Sequence, residues 1–469
     1  MRWNGWYSIK SIIGSEHWIV RVIARRWNRW YSIKSYIRSA LWIVPVISLL
    51  CFLVISRVSH TIGVWLGMSG LLMQTTGLMG LTVQGARVTL ETIITLNVSF
   101  TVFTFGSLLV AIQVASGQYT PRIIATTLLR DNSIRNSVGF FVFTLLFSLR
   151  TLNHLEETVH QFNMLISGLL GVSSLIVFLY LIDYAARMLR PVSIVQRVAS
   201  DGLAVIKEVY PQPTKGQYPA SSRIAGKTIY RTICHKGNSG IVLAVNVKAL
   251  LVYACRIDEI IEIVPCVGDF IAVEEPLFQL YGGYGTLDER ELRAAVAFGP
   301  ERTIEQDPTF AFRILVDIAN KALSPAINDP TTATHAIDQL HRLLLTVGGR
   351  HLRDEEFHDA ERKLRVIFRT PNWEDYVHLA FTEIRHFGAG SIQIARRLRS
   401  MLEVLIQTLP EHRHPALCKE LELLDRAVEK HYLFPEDLAL ARVPDVQGLG
   451  SARRETGGPL CTVPEKERV

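Results

Sequence analysis

The chain has 469 residues, of which 49% are hydrophobic and 20% charged, and its formal net charge is +7. It is too polar for a bare membrane bundle and its first half too apolar for a soluble enzyme, so a membrane part joined to a soluble part is expected. Nine basic side chains and one acidic one fall in the first 60 residues, leaving the remainder near neutral; this argues against nucleic-acid binding by the C-terminal part.

Residues 2–23 and 26–47 form a direct repeat at an offset of 24, with 16 identities in 22 positions. Its Trp, Tyr, Arg and Lys content suits an amphipathic helix in the membrane interface, and the first 38 residues are read as this duplicated basic, aromatic start. The second copy leads directly into the first apolar run. A recent duplication, or a start codon placed too far upstream, with only the second copy structural, is the preferred account of the first copy. No cleavable signal is expected, because the first long apolar run begins late.

Charge-free runs of 18, 30 and 25 residues follow, between Arg38 and Arg57, Glu91 and Arg122, and Glu157 and Asp183. A spanning helix needs roughly 20 apolar residues. A fourth segment reaches that length if Arg150 snorkels to an interface. The membrane domain is therefore expected over 39–190, with spans near 39–57, 92–115, 138–154 and 164–184. The Arg-rich segments alternate as the positive-inside rule requires when both termini are cytoplasmic. Residues 58–86 also lack charge but hold six glycines. Their composition favours an outer loop with an interfacial helix over a fifth span.

On the second span Asn97, Thr101, Thr104, Ser107, Ala111, Ala115 and Gln118 share one face. Such a face lines a polar path or makes a close helix–helix contact, and the lack of a charged group inside the span favours the contact. Asn97, Thr101, Thr104, Ser107 and Gln118 are the path-lining candidates.

From residue 200 to 285 short β-branched runs broken by Gly, Pro and Asn predict a small β-barrel or sandwich. Val267 to Phe278 is loosely similar to half of a biotinyl or lipoyl domain, without a lysine at the matching tip. Residues 286–440 read as helical. Asp307-Pro308 and Asn328-Asp329-Pro330 each place an Asp N-cap before a Pro at the first helical position, predicting a helical hairpin over 308–323 and 330–347. The polar cluster Glu301, Arg302, Glu305, Asp307, Asn328 and Asp329 reads either as a ligand or cation site or as capping and ion pairing, with Asp317 and Lys321 as a further pair; the structural reading is preferred. His335, Asp338 and His341 recur at steps of three, which sets the two histidines about 120° apart on a helix, unsuited to one metal; a surface stripe is expected. Further helices are expected over 375–409, with Phe381, Ile384, Ile392, Ile394, Leu398 and Leu402 in the core, and from Pro415 to His431. Residues 443–469 read as a disordered tail.

The segments Gln113–Arg122, Val267-Gly-Asp-Phe270, Glu301-Arg-Thr-Ile-Glu-Gln-Asp-Pro308 and Ala322–Ala333, with its Ser-Pro-x-Ile-Asn-Asp-Pro stretch, resemble a bacterial family of predicted membrane proteins of unknown function. The similarity runs from about Arg26 to Leu440, and the first repeat copy departs from it. The resemblance implies an inner-membrane location and supplies no activity. The six cysteines form no CxxC pair and no GxSxG, Walker or HExxH pattern is present, so neither an enzyme, a cofactor nor a metal is expected. The reading is a multi-pass α-helical membrane domain followed by a cytosolic α+β region. Its expected role is an oligomeric channel or transport protein with a cytosolic gate. The alternative is a membrane-anchored signalling or scaffold protein whose cytosolic part binds a ligand or protein. Its expected partners are the lipid bilayer and further copies of itself.

Overall fold

The computed structural model describes residues 43–68, 82–118, 131–155, 161–188, 190–214, 228–282, 288–352 and 356–449. The duplicated start and residues 450–469 lie outside them. The chain divides into two compact units, a helical one covering 36–117 and 121–194 and a C-terminal one covering 195–469.

Among the described residues the helical unit contains α1 (Ile43–Met68), α2 (Val83–Gln118), α3 (Asn132–Asn153) and α4 (Gln161–Met188). Two stretches, Val83–Val114 and Asn163–Arg187, are long and apolar enough to cross a membrane; the apolar part of α1, Val44–Ile55, is shorter. Two such helices thus stand where four spans are expected. The reason for α3 is its position. Its buried residues, from Ile134 through Phe141, Thr144 and Phe147 to Thr151, surround much of the helix, so it need not be apolar to be shielded.

The boundaries also differ from the sequence reading. Helix α1 continues past Arg57 to Met68, and α2 begins at Val83, taking Arg87 and Glu91 into its first turns. Residues 58–68 and 83–86 therefore continue the two apolar helices instead of forming an outer loop with a separate interfacial helix. Residues 69–81 lie outside the described set. Asp131 caps α3 by accepting from the Ser133 and Ile134 amides, and the Tyr184 hydroxyl of α4 donates to the same carboxylate. Phe100, Phe141 and Phe178 tie α2, α3 and α4 together, with centroids 4.0 Å apart for Phe100 and Phe178 and 5.5 Å for Phe100 and Phe141.

The C-terminal unit opens with α5 (Pro191–Val209). A mixed sheet of order β1-β5-β3-β8-β7 and an antiparallel sheet of order β4-β2-β6 follow. The strands are β1 (Ile229–Cys234), β2 (Gly240–Val245), β3 (Ile260–Ile263), β4 (Phe270–Ile271), β5 (Pro276–Tyr281), β6 (Val296–Gly299), β7 (Glu356–His358) and β8 (Leu364–Phe368). Both sheets and the helix α6 (Val247–Ile257) contribute to one core that includes Val242, Leu250, Ile261, Phe278, Val296 and Val366. The short helix α7 (Glu289–Arg293) precedes β6. The α+β character is as expected, but β6, β7 and β8 fall within 286–440, the stretch read as helical. Strands of four, three and five residues are too short to interrupt a helical pattern.

Helices α8 (Pro308–Ala322) and α9 (Pro330–Gly348) form the expected hairpin, and α10 (Trp373–Gly388), α11 (Ile392–Thr408), α12 (His414–His431) and α13 (Pro435–Ala441) pack beside it. Helix α8 is apolar nearly all round, with Phe310, Phe312, Leu315 and Ile318 buried, which is why α5, α9 and α10 can enclose it. Ile392 alone of the six predicted core residues of α10 and α11 is only half-buried. Asp317 pairs with Arg313, which also holds Glu383, rather than serving only Lys321.

Two surface readings are corrected. Asp338 is bound by Arg397 of α11, and burial lowers the His341 ring below its ordinary pKa, so the expected surface stripe is half-buried and its Asp338–His341 end meets a neighbouring helix. Residues 443–449 are ordered. The fully buried Arg396 donates to the Val443 carbonyl and Arg397 to those of Asp445 and Val446, satisfying backbone that composition alone reads as loose.

Candidate functional site

The six residues of the predicted polar cluster divide between the two ends of the hairpin. Asp307 starts α8 and Asp329 starts α9, and α8 separates them by 15 residues, or about 22 Å of helix. The two Asp-Pro sites look alike in sequence because they do the same capping job. The antiparallel hairpin then places them far apart, so no single site can use both.

At the Asp329 end the geometry closes a turn. Ser324 accepts from the Ile327 and Asn328 amides, the Asp329 amide returns to the Ala322 carbonyl, and the Asp329 carboxylate accepts from the Thr332 amide and hydroxyl. Asn328 sits at φ 48°, a left-handed conformation that Asn tolerates better than most residues. Replacing Asn328 by Ala is expected to destabilise the protein by about 1 kcal/mol and replacing it by Gly to be nearly neutral. Chemical denaturation of the two variants side by side checks this.

The Asp307 end carries more chemistry. Asp307 is buried and accepts from the Phe310 amide at 3.2 Å, from the Thr309 hydroxyl and from Arg302 at 2.7 and 2.9 Å. Burial pushes its carboxyl up from the ordinary range, while Arg302, Thr309 and the Phe310 amide hold it down. The Arg302 guanidinium lies 5.6 Å from the centre of the Phe310 ring and presses against Gly268, where φ is 96° and a Cβ would collide with it. Glu301 is exposed.

Beside this pair lies a cavity of about 50 Å³, lined by Glu208, Val209, Tyr210, Val245, Val267, Glu305, Gln306, Asp307, Pro308, Phe368, Arg369, Thr370 and Pro371. It is formed where the end of α5, the end of β2, the turn before α8 and the loop after β8 converge. Gln306 fixes one wall by accepting from the Val245 amide, and the Tyr210 hydroxyl is 3.1 Å from that of Tyr376. The cavity has room for three or four waters, or for the end of a small ligand. Its charged lining is three carboxylates against Arg369, with Arg302 behind Asp307. Glu208, Tyr210, Arg369 and Thr370 have no local motif that reveals them, since they come together only in the fold. Among the described residues no group of three or more His, Cys, Asp or Glu side chains is placed to hold a metal ion.

In the helical unit, Asn97 and Thr104 are buried while Thr101 and Ser107 are partly so, and Gln118 ends α2. The buried positions of α2 continue through Ala86, Leu90, Ile93, Phe100, Leu108 and Ala111, a face turned toward its own neighbours. The Thr101, Thr104 and Ser107 hydroxyls donate to carbonyls of the same helix, as does the Asn97 amide.

A model of a family of predicted membrane proteins, DUF2254, matches residues 38–404, which include α2, the Arg302–Asp307 pair, the cavity lining and the hairpin turn. The chain belongs to this family. Curated relatives are the uncharacterized proteins Rv1290c of Mycobacterium tuberculosis and Mb1321c of Mycobacterium bovis; each is 24% identical over 369 residues, covering 75% of this chain and 68% of the relative. No solved structure matches. Membership supports a membrane location, and the family's description names no activity.

Proposed function

We propose that this chain is a membrane-anchored binding protein whose C-terminal unit takes a small organic cation into the cavity beside Asp307. The observation that carries this reading is the cavity itself, which gathers Glu208 from α5 and Glu305 and Asp307 from the turn before α8 around one opening. With Asp307 held by Arg302, the Glu208 and Glu305 carboxylates outnumber Arg369 and favour a positively charged guest, and the apolar walls of Val209, Val245, Val267 and Phe368 suit the hydrocarbon of an organic one. The helical unit then serves as anchor, with α1 and α3 crossing the bilayer alongside α2 and α4. Helix α3 can do so despite Arg135 and Arg150 because its neighbours cover it. In this reading the protein lies in a bacterial inner membrane with both termini inside.

The test is thermal unfolding of the full-length protein in detergent with putrescine, spermidine or arginine. Stabilisation that saturates and is lost on replacing Glu305 by Gln supports the reading; no shift with any amine rejects it. Transport remains the second reading, and one observation favours it: the helical unit has buried polar groups at its centre that have no hydrogen-bond partner among the described residues.

A further inference from the structure

The contacts of α2, α3 and α4 fix their levels relative to one another. Phe100 meets Phe141, and Leu90 clusters with Leu152, Leu155 and Met164, so α3 runs antiparallel to α2. Phe178 stacks on Phe100, and Ile93 lies against Gly171, where a Cβ would be 2.8 Å away, so α4 runs parallel to α2. One turn from the phenylalanine layer, toward Leu90, the three helices therefore bring Asn97, Thr144 and Ser174 to one level, with Ser148 a turn farther on.

All four side chains are buried, Asn97, Thr144 and Ser148 completely. Thr144 and Ser148 share the Phe141 face of α3, opposite Gly139, which meets Val44 and Ser48 of α1. They thus face α2 and α4. Asn97 Oδ1, Thr144 Oγ1 and Ser148 Oγ have no hydrogen-bond partner among the described residues. The Asn97 amide nitrogen is already bonded to the Ile93 carbonyl at 2.8 Å, so its free atom is purely an acceptor. On the Leu90 side of the layer Ser167 donates to Thr151 at 3.3 Å.

Three unsatisfied oxygens in a shielded interior carry a large desolvation penalty unless a guest meets them. We propose that Asn97, Thr144 and Ser148 form a binding site for a partly dehydrated monovalent cation. An acceptor-only amide oxygen and two hydroxyl oxygens turn lone pairs toward such an ion. The lack of a carboxylate among them selects single over double charge. The inference deepens the transport reading, to which it adds a station on the path, and is independent of the cavity beside Asp307.

The experiment is thermal unfolding of the full-length protein in detergent, at constant ionic strength, in sodium, potassium or choline chloride. A sodium or potassium midpoint at least about 2 °C above that in choline is expected, with saturation. Asn97→Leu and Thr144→Val should each abolish the shift, and Ser99→Ala, an exposed position whose hydroxyl donates to the Thr95 carbonyl of its own helix, should keep it. If Asn97→Leu fails to fold, Ser148→Ala takes its place. Equal midpoints in the three salts, as a layer filled by water would give, overturn the proposal, and so does a shift that survives both substitutions. Flux from proteoliposomes separates the two ideas: a cation-specific shift without flux leaves the site and removes transport, whereas flux without a shift removes the site.

Discussion

Asp307→Ala is expected to destabilise the protein by about 2–4 kcal/mol. Loss of the N-cap of α8 accounts for about 1 kcal/mol. The rest comes from stranding Arg302, which is two-thirds buried against Gly268 and Phe310 and would lose its carboxylate. Asp307→Asn separates the two contributions, since Asn caps as well as Asp but carries no charge. It should lie between wild type and Ala. Denaturant unfolding of the full-length protein in detergent measures both, and an Ala variant within about 0.5 kcal/mol of wild type would show that the pair is not holding the turn.

Gly139→Leu should be more disruptive still to the helical unit. A Cβ at this position would lie 2.6 Å from Val44 Cγ1 and 2.7 Å from Ser48 Oγ, so α1 and α3 approach as closely as they do only because the side chain is absent. Inserting a whole Leu costs roughly 1–3 kcal/mol or separates the helices. Gly106→Leu in α2 is the control, because a Cβ there meets nothing within 4 Å. The folded fraction on size exclusion and the unfolding midpoint should fall for Gly139→Leu and hold for Gly106→Leu. Equal behaviour of the two variants would mean that α1 and α3 are not in contact.

The hairpin was legible to within a residue or two because its signals are local: an Asp cap, a Pro at the first turn and Ser324-Pro325 between the helices. The strands of 229–281 were legible from β-branched runs. What local pattern could not supply was distance. Asp307 and Asp329 read as one cluster because a turn and a helix separate them in sequence, yet that helix carries them to opposite ends. The cavity escaped for the same reason, since Glu208 and Arg369 are more than a hundred residues apart and meet only through packing of α5 against the end of β8. In the helical unit the polar face of α2 was visible as a period of 3.6, and Asn97 and Thr104 on it are buried. Thr144 and Ser148 carry no local signal in the segment expected as a span near 138–154, and only the packing of α3 among its neighbours brings them to the buried centre.

The measurement that tests the central claim most directly is the unfolding midpoint of the full-length protein in detergent across a spermidine titration, for wild type and Glu305→Gln. The account predicts a saturable rise in wild type and a flat response in the variant. A flat response in both, or the same rise in both, would contradict an amine site beside Asp307.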